Sequence, residues 1–234
     1  DRAESLVQAI AISFWRDQGL TDLGVVAAQA GDYDRAETLA RGNSNPEGQS
    51  HALTDMMTVA VRAGDRDGAR RLIRSAEVSA RAITDSDRQV ETLTDLAGAA
   101  ARADERGSAR RLIDLVEGLA HAMTDQDRQA QALAGLVAVA ARTDDRAEGL
   151  VRAIADPYWQ AQALALLVSA YVDQVPPHGD RKRGIVRRLL AESLSAAPWQ
   201  VSLSPLARLS PSAVLALADE FEATALRQRM LIGR

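Results

Sequence analysis

The chain has 234 residues, a formal net charge of −4 and no cysteine, so it can bury a sizeable core but has no disulfide frame and no thiolate chemistry. Hydrophobic residues make up 47% and aromatics only 3%, which leaves packing to Ala, Leu, Val and Ile and leans strongly towards helix. The charge is spread rather than blocked, which argues against a nucleic-acid or anionic-membrane binder, and neither a long apolar run nor a signal layout occurs, so a soluble cytoplasmic protein is expected.

In chain order, the first signal is Ala3, Leu6, Val7 and Ile10. Apolar residues at i, i+3, i+4 and i+7 form one stripe of a helix. The chain starts Asp1-Arg2-Ala3-Glu4, with no initiator Met and inside a repeat, so a processed or excised part of something longer is expected. The same spacing then returns in two alternating series. One series (first helices) is led by Leu20, Leu53, Leu93, Leu133 and Leu164, which are 33, 40, 40 and 31 residues apart. The other (second helices) is led by Ala3, Ala36, Ala69, Ala109 and Ala147. Residues 82–93, AITDSDRQVETL, match residues 122–133, AMTDQDRQAQAL, at seven of twelve positions, a self-similarity that marks a repeat architecture.

Turn signals separate first from second helices at Gly31-Asp32, Gly64-Asp65, Asp104-Glu105 and Asp144-Asp145. Helix-start signals separate second from first helices at Asn45-Pro46, Thr84-Asp85, Thr124-Asp125 and Asp156-Pro157. The two 40-residue units carry about seven extra residues, placed in the second helices over 66–83 and 106–123. After residue 174 the rhythm degrades: a loop at Val175-Pro176-Pro177-His178-Gly179, a second-type helix over 181–196, Trp199-Gln200 echoing Trp159-Gln160, Pro205, and a closing helix from Ser210 to about Gln228. Atypical end units are expected caps.

Residues 20–40, LTDLGVVAAQAGDYDRAETLA, resemble a tetratricopeptide repeat: Leu20, Leu23, Gly24, Ala27, Gly31, Asp32, Tyr33 and Ala36 fall on that family's signature positions. Later units depart from it, with Ala97 and Val137 in place of the small Gly. The repeat style is also similar to C-terminal arrays of large actinobacterial multidomain proteins; a single lysine against 27 arginines fits a GC-rich genome. The resemblance implies an all-α, right-handed solenoid of stacked helix pairs over residues 1–174 (half-repeat 1–15, then units of 31–40 residues), with 175–234 as degenerate repeat and cap. It further implies a concave groove lined by the first helices, where a protein or peptide binds without cofactor or catalysis. The Lys/Asn pattern with which some relatives clamp a C-terminal carboxylate is absent, Thr21, Thr54, Thr94, Ala134 and Ala165 standing there.

Several residues have both a functional and a structural reading. Arg62, Arg102 and Arg142, nine residues after a leading Leu, face away from the apolar stripe and could form a basic ladder for an acidic segment; equally, they complement the helix C-termini. His51, Glu91, Gln131 and Gln162 share that face as candidate groove contacts. Gln49, Gln89, Gln129 and Gln160 recur four residues before the leading Leu, suited to bonding a neighbouring loop and free amides at the helix start. Trp15 and Trp159 are expected to plug the gap beside short units, the functional alternative being Tyr158-Trp159 as an exposed aromatic anchor. His121 and Asp125, one turn apart, suggest a local hydrogen bond, and Arg181-Lys182-Arg183 is the one basic patch. No histidine sits in a metal-ligand spacing. The expected function is a non-catalytic sensor or scaffold module of a larger bacterial signalling, regulatory or defence protein. The alternative is an oligomerisation arm that stacks on a copy of itself.

Overall fold

The computed structural model describes residues 2–143 and 146–174. Asp144-Asp145 and everything expected after residue 174, including the cap helix, His178 and the basic patch, lie outside the described residues. Among the described residues the chain is all-α, with ten helices and no strand. The second helices are α1 (Arg2–Gln8), α3 (Tyr33–Arg41), α5 (Arg66–Arg81), α7 (Arg106–His121) and α9 (Ala147–Ala153). The first helices are α2 (Ser13–Gln29), α4 (Pro46–Arg62), α6 (Ser86–Arg102), α8 (Gln126–Thr143) and α10 (Pro157–Gln174). The extra residues of the long units sit where the spacing placed them, since α5 and α7 have 16 residues and α3 has 9.

Short-range chemistry sets the helix ends. Asp85 and Asp125 each accept two backbone amide bonds from the first turn of α6 and α8, at 3.0–3.2 Å. Asn45 accepts from Gly48 N at 2.7 Å and Asp156 from Trp159 N at 2.9 Å. Helices α2, α4 and α6 end in one recurring turn. The amides of Asp32, Asp65 and Glu105 each donate 3.0 Å bonds to the carbonyls of Ala27, Ala60 and Ala100 five residues back. This closure requires a left-handed residue, supplied by Gly31 (φ 77°), Gly64 (φ 78°) and Asp104 (φ 58°).

Packing follows chain order. Helices α2, α4, α6 and α8 each pack on the second helix that follows and on the next first helix, so α2, α4, α6, α8 and α10 form a continuous row, while neighbouring second helices meet far less. The leading residues Leu20, Leu53, Leu93, Leu133 and Leu164 are buried, as are Leu72, Ile73, Leu112, Ile113, Leu150 and Val151 on the second helices. Each such side chain contributes roughly 1.5–3 kcal/mol. Helix α1 buries none of its residues. One expectation fails at the N-terminal end. Trp15 is 58% exposed rather than plugging a gap, whereas Trp159 packs against the core.

A ladder of ion pairs runs along the second helices. Arg35 bonds Glu4 at 2.8 Å, Arg71 bonds Glu37 at 2.9 Å, Arg111 bonds Glu77 at 2.9 Å and Arg146 bonds Asp114 at 2.7 Å. Glu37 is the deepest member, 6% exposed. Burial raises its carboxyl, but the bonds from Arg71 and Ser75 and the charge of Arg41 outweigh that and hold it below the ordinary 4.5. A second tie joins the first two units. The Tyr33 ring lies over Gly68, where a Cβ would come within 2.4 Å of it, and its hydroxyl donates to Asp65 at 2.8 Å. Burial and that carboxylate push the phenol up to about 12.

Leu93→Asp should unfold the array in one cooperative transition, at a cost above about 4 kcal/mol, because Leu93 is fully buried between repeats and an aspartate there has no partner. A melting temperature close to wild type would contradict this register.

Arg71→Gln should cost about 1–2 kcal/mol at neutral pH, below the value for a fully buried pair because the Arg71 side chain is 40% exposed and solvent-screened. A depressed carboxyl contributes stability above its unfolded value and loses it as pH falls through the folded value. Urea titrations should therefore show the deficit of Arg71→Gln shrinking below pH 4.5, and a deficit constant down to pH 3 would refute the role given to Glu37.

Candidate binding face

Positions six and two residues before the leading Leu, and two after it, lie four apart and form one stripe on each first helix. All of them are exposed or half-buried. On α4 the stripe reads Glu47, His51, Asp55; on α6, Asp87, Glu91, Asp95; on α8, Asp127, Gln131, Gly135; on α10, Tyr158, Gln162, Leu166. Neighbouring first helices are strapped across this face near their N-termini. Arg88 of α6 bonds Glu47 of α4 at 2.8 Å, and Arg128 of α8 pairs with Asp87 of α6.

Between α6 and α8 the face opens into a cleft of about 400 Å³. Val90, Met123 and Ala132 give it apolar lining, Glu91, Asp95 and Thr94 come from α6, and Gln131 and Gly135 come from α8. A second depression of about 300 Å³ lies on Leu119, Ala122, Thr124 and Asp125, and the Asp87–Arg128 pair borders both. Gly135 opens the cleft: its register carries Asp22 on α2, Asp55 on α4 and Asp95 on α6. A Cβ on Gly135 would meet only Thr94 Cγ2, at 3.8 Å. On α4, loss of water raises the Asp55 carboxyl above its ordinary 3.8, with His51 acting in the opposite sense.

The sequence-derived candidates divide into two groups. Glu91 and Gln131 meet in the cleft. His51 is exposed at the same register of α4, and Gln162 at that register of α10 donates to the Tyr158 hydroxyl at 2.8 Å. Arg62 and Arg102 end α4 and α6, and Arg142 stands in the last turn of α8; all three are exposed. Each lies eleven residues beyond the His51, Glu91 and Gln131 register, roughly 16 Å along the helix. They form a rim at the helix C-termini and line neither depression. Arg102 lies over Gly98, its guanidinium nitrogen 3.5 Å from where a Cβ would stand.

The recurring glutamines are structural, with one change to the expectation. Gln89 Nε2 donates to the carbonyls of Ala80, Arg81 and Ile83 at 3.4, 2.9 and 3.1 Å, and Gln49 to those of Arg41 and Asn43 at 3.3 and 3.2 Å. Gln160 reaches Val151 O at 3.4 Å. These carbonyls lie at or just past the C-terminal end of the preceding second helix, and none of the bonds goes to amides starting the glutamine's own helix. Gln129 instead lies 3.5 Å from His121 Nδ1, and the other neighbour of His121 is Glu117 at 3.9 Å, not Asp125. The cleft itself was missed in the sequence. The available signal was Gly135 breaking the run Asp22, Asp55, Asp95.

Gly135→Ala should raise stability by about 0.5–1 kcal/mol, since an exposed helical glycine is replaced without a clash. A fall in thermal or urea stability would mean that the α6–α8 spacing is tighter than described.

Among the described residues no group of three His, Cys, Asp or Glu side chains could hold a metal ion, and no helix is long and apolar enough to cross a membrane. No family model matches the chain, and no curated protein matches it.

Proposed function

We propose that the chain is a non-catalytic binding module, a right-handed tetratricopeptide-like solenoid that takes a protein segment along the exposed face of its first helices. One observation carries this reading. Residues that repeat from unit to unit go to core, caps and ion pairs, whereas the register His51, Glu91, Gln131, Gln162 changes from His to Glu to Gln over three successive units and is exposed or half-buried. A surface that is built regularly but lettered differently suits recognition of an extended partner, one unit reading one stretch. The first helices pack on one another more closely than the second helices do, which supports a row curved towards its first helices. A cytoplasmic sensor or scaffold role within a larger bacterial protein fits the resemblance, the absence of cysteine and the acidic balance.

The second reading is self-association. Leu6, Ile12, Phe14 and Trp15 are 58–66% exposed at the N-terminal edge, an apolar patch of the kind that marks contact sites. A second copy would cover it edge to edge.

Selection of displayed random 12-residue peptides on the immobilised chain tests the first reading. Enriched peptides should lose binding to a His51→Ala, Glu91→Ala, Gln131→Ala variant and keep it with Val78→Ser, a change on the outer second helix α5. Retention by the triple variant would remove the face from consideration. Light scattering decides the second reading: a monomer at tens of micromolar, unchanged by Phe14→Glu, would end it.

A further inference from the structure

We propose that the cleft between α6 and α8 receives a Lys or Arg side chain from an extended, basic segment of a partner protein. The inference rests on the binding-face reading and reverses the sign of the partner expected from Arg62, Arg102 and Arg142. Those arginines stand roughly 16 Å from the Glu91 register, outside the cleft. Inside it, Asp87, Glu91 and Asp95 follow one another at i, i+4 and i+8 on α6, about 6 Å apart. The single lining cation, Arg128, is already held by Asp87. Glu91 and Asp95 form no direct ion pair among the described residues, although Arg88, itself held by Glu47, lies near enough to Glu91 for their charges to attract, so two carboxylates stand unbridged along one wall. The facing wall is neutral, with Gln131 and Gly135.

The apolar lining decides among cations. Val90, Met123 and Ala132 provide a surface for the methylene stem of a long basic side chain, whose charged end can then reach the carboxylates. A divalent metal is a poor occupant, because carboxylates strung about 6 Å apart along a helix cannot converge on one ion, and no metal-holding group is found among the described residues. Nucleic acid is opposed by the sign of the charge. Gly135 is what admits the occupant: the aspartate that holds its register on α2, α4 and α6 would project into this space. The volume of about 400 Å³ falls within the range of side-chain and small-ligand pockets.

The test uses two fluorescein-labelled decapeptide pools on an Ala/Leu background, one with two Arg at every spacing and one with two Glu, read by fluorescence anisotropy at low and moderate salt. The Arg pool should bind the whole chain and weaken with salt. It should bind roughly tenfold more weakly to Glu91→Gln/Asp95→Asn and to the cleft-filling Gly135→Leu. The Arg62→Gln/Arg102→Gln/Arg142→Gln variant should bind it as wild type does. Both cleft changes are at exposed positions, and circular dichroism confirms that helix content is retained. Equal binding of the Arg pool by wild type and both cleft variants overturns the proposal. If the Glu pool binds instead and is lost in the triple-arginine variant, the basic occupant is refuted while the binding face stands. If random-peptide selection also enriches nothing, the binding face falls too.

Discussion

A helix with one apolar stripe cannot bury that stripe within a single hairpin, and everything else in this chain depends on that constraint. Leu93 on α6 and Leu112 with Ile113 on α7 are sealed only because the hairpins before and after close over them. Stability is therefore shared between neighbours rather than held in one central core, and the chain becomes a row. With so few aromatics the row is tightened by small residues. Ala97, Ala100, Ala109 and Ala140 are all fully buried, which lets helix backbones approach closely.

Polar interactions fix the register that burial alone leaves loose. Caps at Asn45, Asp85, Asp125 and Asp156 start α4, α6, α8 and α10, and Gln49, Gln89 and Gln160 reach carbonyls at or just past the end of the preceding second helix. Arg71 and Arg111 then tie α5 to α3 and α7 to α5 through Glu37 and Glu77. One position departs from the scheme. Glu105 occupies the place where Asp32 and Asp65 cap second helices, yet its longer side chain makes no cap bond and turns to Arg70 at 2.7 Å.

Local signals made most of this legible in the sequence. Periodicity located the helices, because a stripe at i, i+3, i+4, i+7 has one cause, and Asx caps located their starts. Glu37 and Glu77 of the ladder lie 40 residues apart, the spacing of Leu53, Leu93 and Leu133, so part of it was readable in principle, but nothing in a single sequence says which exposed charges meet. The exposure of Trp15 was misjudged for a related reason: its burial depends on a neighbour rather than on its own helix. The arginines Arg62, Arg102 and Arg142 are exposed, as residues opposite the stripe would be, but angle on a helical wheel says nothing of height along the axis. Height separates them from Glu91 and Gln131. The cleft is the least legible feature, since it arises where the side chain of Gly135 is missing.

Under the proposed function, repeated residues build the row and variable ones make contact. The central claim is that contact is made on the first helices. A crystal structure of the chain with a peptide taken from display selection tests it most directly. The account predicts an extended peptide lying across α4, α6 and α8, touching His51, Glu91 and Gln131, with a basic side chain beside Gly135. A peptide seated on the outer surfaces of α5 and α7, or capping the α1–α2 edge, would contradict it.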